Sequence, residues 1–163
     1  MCIVEQKFIV ISPKWSKVEQ ERRVVMNFTG VFYHSLDPKN RVFIPSEFRE
    51  DLGETFYIYR APENCVCLYN EERWAQLTEK INEETNSAIL RKKKRQFFSR
   101  VASCKMDKQG RITIGADFLE HASLDKDVVI VGMGNCVEIW DATAWKTIEE
   151  LDDEDDLSEG IYF

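Results

Sequence analysis

Two acid and base pairs stand out by their spacing. Asp37 and Arg41 lie four residues apart within DPKNRVFIPSEF, and Asp107 and Arg111 repeat that spacing within DKQGRITIGADF seventy residues later. A carboxylate at the start of a turn accepts hydrogen bonds from backbone N–H groups two or three residues on. A guanidinium leaving such a turn can bridge to its own Asp. It can also reach outward as a fork that matches guanine or a phosphate, while the Asp holds the fork in place. The two roles are compatible in one structure. Arg41 with neighbouring Lys39, and Arg111 with neighbouring Lys108, are therefore candidates for contact with a nucleic acid. Asp37 and Asp107 are candidates to orient them.

Other chemistries find less to work with. Asp37 and Asp107 could be imagined as paired carboxylates of an enzyme built around a twofold axis. The chain lacks a nucleophile elbow, a phosphate-cradling Gly-rich loop and a metal-ligand cluster, and GMGN at residues 132–135 is too short to serve as such a loop. The five cysteines, Cys2, Cys65, Cys67, Cys104 and Cys136, show neither C-x-x-C nor Cys/His zinc spacing. Cys65 and Cys67 read as two side chains on one face of a strand. His34 and His121 stand alone. No catalytic residue, metal or cofactor is expected.

The net charge of −7 misrepresents the body of the protein. Residues 149–159, EELDDEDDLSE, hold eight acidic residues and no basic one, and without them the chain is close to neutral. Conversely, residues 91–111 carry RKKKR, Arg100, Lys105, Lys108 and Arg111 against the single acid Asp107. Positive charge thus collects beside the second motif, with the RKKKR run a further source of phosphate contacts. No apolar run approaches the ~20 residues of a membrane helix, and the N-terminus lacks the plan of a signal peptide. A soluble, intracellular protein is expected.

The two motifs belong to a longer duplication. Phe28-Thr29 corresponds to Phe98-Ser99, Val31 to Val101, Asn64-Cys65-Val66 to Asn135-Cys136-Val137, and Trp74 to Trp145. Each copy reads as two short β-rich runs around a turn, VFYHSL and RVFI in the first, forming a hairpin or strand pair. Asn40 and Gly110 fill the turn position that tolerates positive φ. A one- or two-turn helix follows at SEF or ADF, then two further strands, then a helix capped by Asn70 or Asp141. In those closing helices Trp74, Leu77 and Ile81, or Trp145, Ile148 and Leu151, fall at helical spacing. Residues 83–97 read as a linking helix with Ile89, Leu90, Phe97 and Phe98 packed. Four short strands cannot bury both faces of their own sheet, so two copies are expected to complete one barrel about a pseudo-twofold axis. The fold class is mainly β with short helices, an α+β arrangement.

The paired D-x-x-x-R motifs, with FTGVFYHSLDPKNRVFIP, FFSRVASCKMDKQGRITI and NCVEIWDATAW, resemble the MraZ family, relatives of the AbrB/SpoVT group. The likeness spans about residues 26–145. It departs from the usual pattern at Asn40, Arg100 and Gly115. It implies a swapped-hairpin, double-psi-type β barrel with flanking helices, made of repeats at 28–82 and 98–151. It also implies a cytoplasmic, nucleoid-associated transcriptional regulator, most simply a repressor, of the cell division and cell wall gene cluster. Its partners would be double-stranded promoter DNA, read through Lys39, Arg41, Lys108 and Arg111, and further copies of itself in a ring-like homo-oligomer on tandem repeats. The alternative is an antitoxin-like module that binds a protein through its tail. Residues 1–25 precede the likeness; GAG-AGG-AGG codons at Glu21-Arg22-Arg23 would be a ribosome-binding sequence, so these residues read as a mis-called start. The acidic stretch 152–163 reads as a disordered tail.

Overall fold

The computed structural model describes residues 27–83 and 87–152. The expectations for residues 1–25 and for the tail beyond Asp152 lie outside them. Each repeat contributes four strands: β1 (Val31–Ser35), β2 (Arg41–Phe43), β3 (Thr55–Arg60) and β4 (Val66–Asn70), then β5 (Val101–Lys105), β6 (Arg111–Thr113), β7 (Asp127–Gly132) and β8 (Val137–Asp141). The helices are α1 (Ser46–Leu52), α2 (Glu71–Glu83), α3 (Ala88–Phe98), α4 (Ala116–His121) and α5 (Ala142–Asp152). Six strands form an antiparallel sheet in the order β1-β7-β8-β4-β3-β5, and β2 pairs with β6 in a separate two-stranded ribbon.

The expected pairing of the first two strands within each repeat does not form. β1 instead lies against β7 of the other repeat, from Val31↔Val131 to Ser35↔Asp127, and β5 lies against β3 in the equivalent way. Each first strand therefore caps the edge of the other repeat's hairpin. Pairing at home would leave β3 and β7 open and let the halves separate, whereas the exchange shares one core between them. The six-stranded ladder ends at β1 and β5 and is not closed by hydrogen bonds. The ribbon supplies the remaining wall of the core.

Two ladders reveal the symmetry. The ribbon pairs Arg41↔Thr113, Val42↔Ile112 and Phe43↔Arg111, and the centre of the sheet pairs Val66↔Ile139, Cys67↔Glu138 and Leu68↔Val137. Exchanging the repeats leaves both ladders unchanged. The pseudo-twofold axis thus passes between Val42 and Ile112 on one side and between Cys67 and Glu138 on the other. Between these points lies the main core, where Val42, Ile44, Phe56, Leu68, Ile112, Ile114, Ile130 and Ile139 are buried. Full burial of one such side chain contributes about 1.5–3 kcal/mol. Strand alternation sends Cys65, Cys67, Val129, Val131 and Trp140 to the opposite face of the sheet, where they form a second cluster with Trp145 and Ile148 of α5.

Local signals in the helices hold well. Asn70 Oδ1 accepts from the Arg73 N–H at 2.9 Å to cap α2, and Asp141 Oδ2 accepts from the Thr143 N–H at 3.0 Å at the start of α5. The short helices α1 and α4 open with matching bonds from Phe48 N to Pro45 O and from Phe118 N to Gly115 O. The helix expected over 83–97 begins instead at Ala88, because the Ser87 hydroxyl caps it by accepting from Leu90 N. Ile89 and Leu151, assigned to packed faces by helical spacing, are 70% and 64% exposed. Each sits at a margin of its helix where no element among the described residues covers it.

Candidate nucleic-acid interface

The two D-x-x-x-R motifs fold into nearly identical turns at the ends of the ribbon. Asp37 Oδ1 accepts from the backbone N–H groups of Lys39 and Arg41, both at 2.9 Å, and Oδ2 accepts from Arg41 Nε at 2.6 Å. Asp107 Oδ1 accepts from Gln109 and Arg111, again both at 2.9 Å, and Oδ2 from Arg111 Nε at 2.8 Å. A backbone bond from Asp to Arg closes each turn, at 2.9 Å and 2.8 Å respectively. Asn40 and Gly110 adopt φ of 58° and 82°, as the turns require. At Gly110 a second constraint appears, since a Cβ there would lie 2.4 Å from Arg49 Cζ.

The Asp charges are set by these bonds. At Asp37 partial burial pushes the carboxyl up, but the hydrogen bonds from Arg41 and Lys39 outweigh it and hold the group below its ordinary value. At Asp107 the Arg111 backbone N–H is the largest influence and acts in the same direction, against burial. Both carboxylates stay ionised and pinned to their turns. Each Arg is thereby tethered through Nε alone. No hydrogen bond from the Nη1 or Nη2 groups of Arg41 or Arg111 occurs among the described residues.

Ribbon register decides where those free ends point. Val42 and Ile112 face the core, at 0% and 1% exposure, so Arg41, Phe43, Arg111 and Thr113 occupy the outer face. Arg41 and Arg111 are diagonal neighbours there, with Cα atoms roughly 7–8 Å apart by ribbon geometry. Lys39 and Lys108 are exposed in the adjoining turns. The structure thus brings all six motif residues to one end of the pseudo-twofold axis. Free guanidinium ends on a narrow ribbon can donate pairwise to planar acceptors or to phosphate oxygens.

A match of two consecutive segments, residues 27–96 and 97–160, to the family described as "MraZ protein, putative antitoxin-like" mirrors the duplication. A protein of Heliobacterium modesticaldum named "Transcriptional regulator MraZ" is 43% identical over 124 residues, covering 76% of this chain and 87% of the relative. Proteins of the same name from Alkaliphilus oremlandii and Natranaerobius thermophilus are 39% identical over 132 residues and 40% over 124, covering 80% and 76% of this chain and 90% and 87% of theirs. The chain belongs to the MraZ family.

MraZ relatives carry the name of a regulator and not of an enzyme, so the paired-carboxylate alternative falls away. In the structure Asp37 and Asp107 are each occupied by their own turn and Arg. Two contributors to the MraZ ribbon face escaped sequence reasoning. Phe43 is 45% exposed, and its ring lies 5.8 Å from Arg111 Cζ, a cation–π distance. Arg49 of α1 donates through Nε to Ile44 O and packs over Gly110 of the other repeat. No local pattern signals either placement, because Arg111 and Gly110 lie across the repeat boundary from Phe43 and Arg49. The RKKKR helix lies elsewhere. Phe97 of α3 packs on Tyr59 and Trp74, on the sheet face turned away from the main core, so closeness in sequence to Arg111 does not make the run part of this face. No helix among the described residues is long and apolar enough to cross a membrane.

Proposed function

We propose that this MraZ-family chain is a sequence-specific DNA-binding transcriptional regulator that reads double-stranded DNA with the outer face of the β2/β6 ribbon. One observation carries the reading. Two guanidinium groups are each tethered by Nε to a fixed Asp and lie partly exposed, at 29% and 21%, on the same ribbon face across a pseudo-twofold axis. The tether orients each fork before binding, so less freedom is lost on contact. A major groove about 12 Å wide admits a two-stranded ribbon, and its guanines offer O6 and N7 to a bidentate Arg. Lys39 and Lys108 flank the ribbon at the level of the phosphates.

Family membership supports the remaining parts of the proposal. The chain acts in the cytoplasm at the nucleoid, as a repressor of the cell division and cell wall gene cluster. A single barrel presents few basic groups, which favours a ring-like homo-oligomer on tandem short repeats, where effective concentration adds a factor of ~10² or more in affinity. A competing role as an antitoxin-like module bound to a protein takes support from the family description and the acidic tail.

Selection from a random duplex library, followed by gel shifts at several salt concentrations, tests the reading. A recovered motif occurring in tandem, bound with a steep salt dependence and lost in the Arg41→Ala/Arg111→Ala double variant, is the expected result. Recovery of no motif, or equal binding by the double variant, would overturn it.

A further inference from the structure

At the opposite end of the pseudo-twofold axis the structure gathers a second set of donors. Cys65 and Cys67 of the first repeat and Glu138 of the second present Sγ and carboxylate oxygen atoms that all lie within 4.8 Å of one another. Cys65 and Cys67 are buried at 0% and 4% exposure, and Glu138 is half-buried. The Cys67 thiol lies 3.9 Å from Glu138 Oε1, and Cys136, itself buried, abuts Cys67 from the neighbouring strand. All these cysteines are free thiols. The register explains the gathering: Cys67 faces Glu138 directly across the axis, and Cys65 and Cys136 flank that pair on the same sheet face.

We propose that Cys65, Cys67 and Glu138, with Cys136 as the fourth ligand, form a binding site for a thiophilic divalent cation of the Zn²⁺ class. Bonds of ~2.0–2.3 Å in a tetrahedral site set ligand atoms roughly 3.3–3.8 Å apart, so the Cys65, Cys67 and Glu138 atoms have to contract by only about an ångström, while Cys136, outside that 4.8 Å group, has to swing in further to complete the site. Soft sulfur donors with one carboxylate select such an ion over Mg²⁺ or Ca²⁺. The surroundings suit a ligated site. Trp140 Nε1 donates to Glu138 Oε2 at 2.8 Å, leaving Oε1 for the metal. Among the described residues, two buried side-chain nitrogens without a hydrogen-bond partner are Arg73 Nε and Trp145 Nε1. Trp145 belongs to the same cluster as Cys65 and Cys67, and the Arg73 charge acts on Cys136. Donors of this kind fit the second shell of a thiolate complex, whose net negative charge a guanidinium would offset. Because its ligands come from both repeats, the ion would staple the halves together on the side away from the ribbon.

The test uses the full chain, reduced and stripped with a chelator, titrated with Co²⁺ and then Zn²⁺. Sulfur-to-cobalt charge-transfer bands, visible bands of tetrahedral intensity, displacement by Zn²⁺ at one equivalent and a melting temperature that rises with Zn²⁺ are expected. Cys67→Ser and Glu138→Gln should weaken binding by at least about 10–100-fold, the loss typical of perturbing even a second-shell partner. Cys2→Ser and Cys104→Ser should leave binding unchanged. Metal-free melting curves confirm that each variant folds. Absence of sulfur bands, or equal affinity in the wild type and Cys67→Ser, would overturn the proposal.

Discussion

Replacing Arg41 separates the two roles of its guanidinium. In the folded protein Nε holds Asp37 Oδ2, while Asp37 Oδ1 independently anchors the backbone N–H groups of Lys39 and Arg41. Arg41→Ala removes only the first contact, so the turn survives. The lost ion pair is partly exposed, at 29% for each side chain, and contributes at most about 1 kcal/mol, so the melting temperature should stay within about 4 °C of wild type. The outward donors are lost completely. If they form a bidentate base contact, affinity falls by ~1–3 kcal/mol, or about 5- to 160-fold, for each barrel engaged. Arg41→Lys sharpens the test. A lysine has one nitrogen, which cannot both bridge to Asp37 and form a fork on a base, so a base contact fails at full charge. A phosphate contact would be largely rescued by lysine. Affinity across a salt series, paired with melting curves, distinguishes these outcomes. Wild-type affinity for selected DNA in Arg41→Ala would refute the reasoning and leave the turn a purely structural device.

Other perturbations probe the scaffold. Gly110→Ala places a side chain at φ 82° and against Arg49, and should cost about 1–2 kcal/mol by chemical denaturation, while Gly110→Asn should cost less, since Asn40 occupies the equivalent turn at φ 58°. Ile112→Ala at the axis opens a cavity under the ribbon and should cost ~2–5 kcal/mol, read from urea melts. Asp37 and Asp107 have folded pKa values below their unfolded ones, so they stabilise the fold above the unfolded value, and that contribution disappears as pH falls through the folded value. Asp37→Asn/Asp107→Asn should therefore flatten the acid side of a stability profile below about pH 4. Burial raises the Cys104 thiol to about 11, so its alkylation at neutral pH should be much slower than that of an ordinary exposed cysteine, as counted by mass spectrometry after timed labelling.

What the amino-acid sequence by itself determined was local. Asp37 and Arg41, like Asp107 and Arg111, meet because a four-residue turn brings them together wherever the strands go. Asn70 and Asp141 cap their helices for the same reason: donor and acceptor are two or three residues apart. The duplication itself, and hence the twofold plan, was equally legible. Tertiary structure alone decided which strand lies beside which. β1 could pair with β2 next door, yet it crosses to β7 nearly a hundred residues away because that exchange covers the edges that β3 and β7 would otherwise leave open and shares one core between the repeats. From that choice follow the placement of Phe43 over Arg111, of Arg49 over Gly110, and of Glu138 opposite Cys67. Each joins residues from different repeats. Their meeting depends on a register set by burial of Val42, Ile112, Leu68 and Ile139 about the axis, which no short-range pattern encodes.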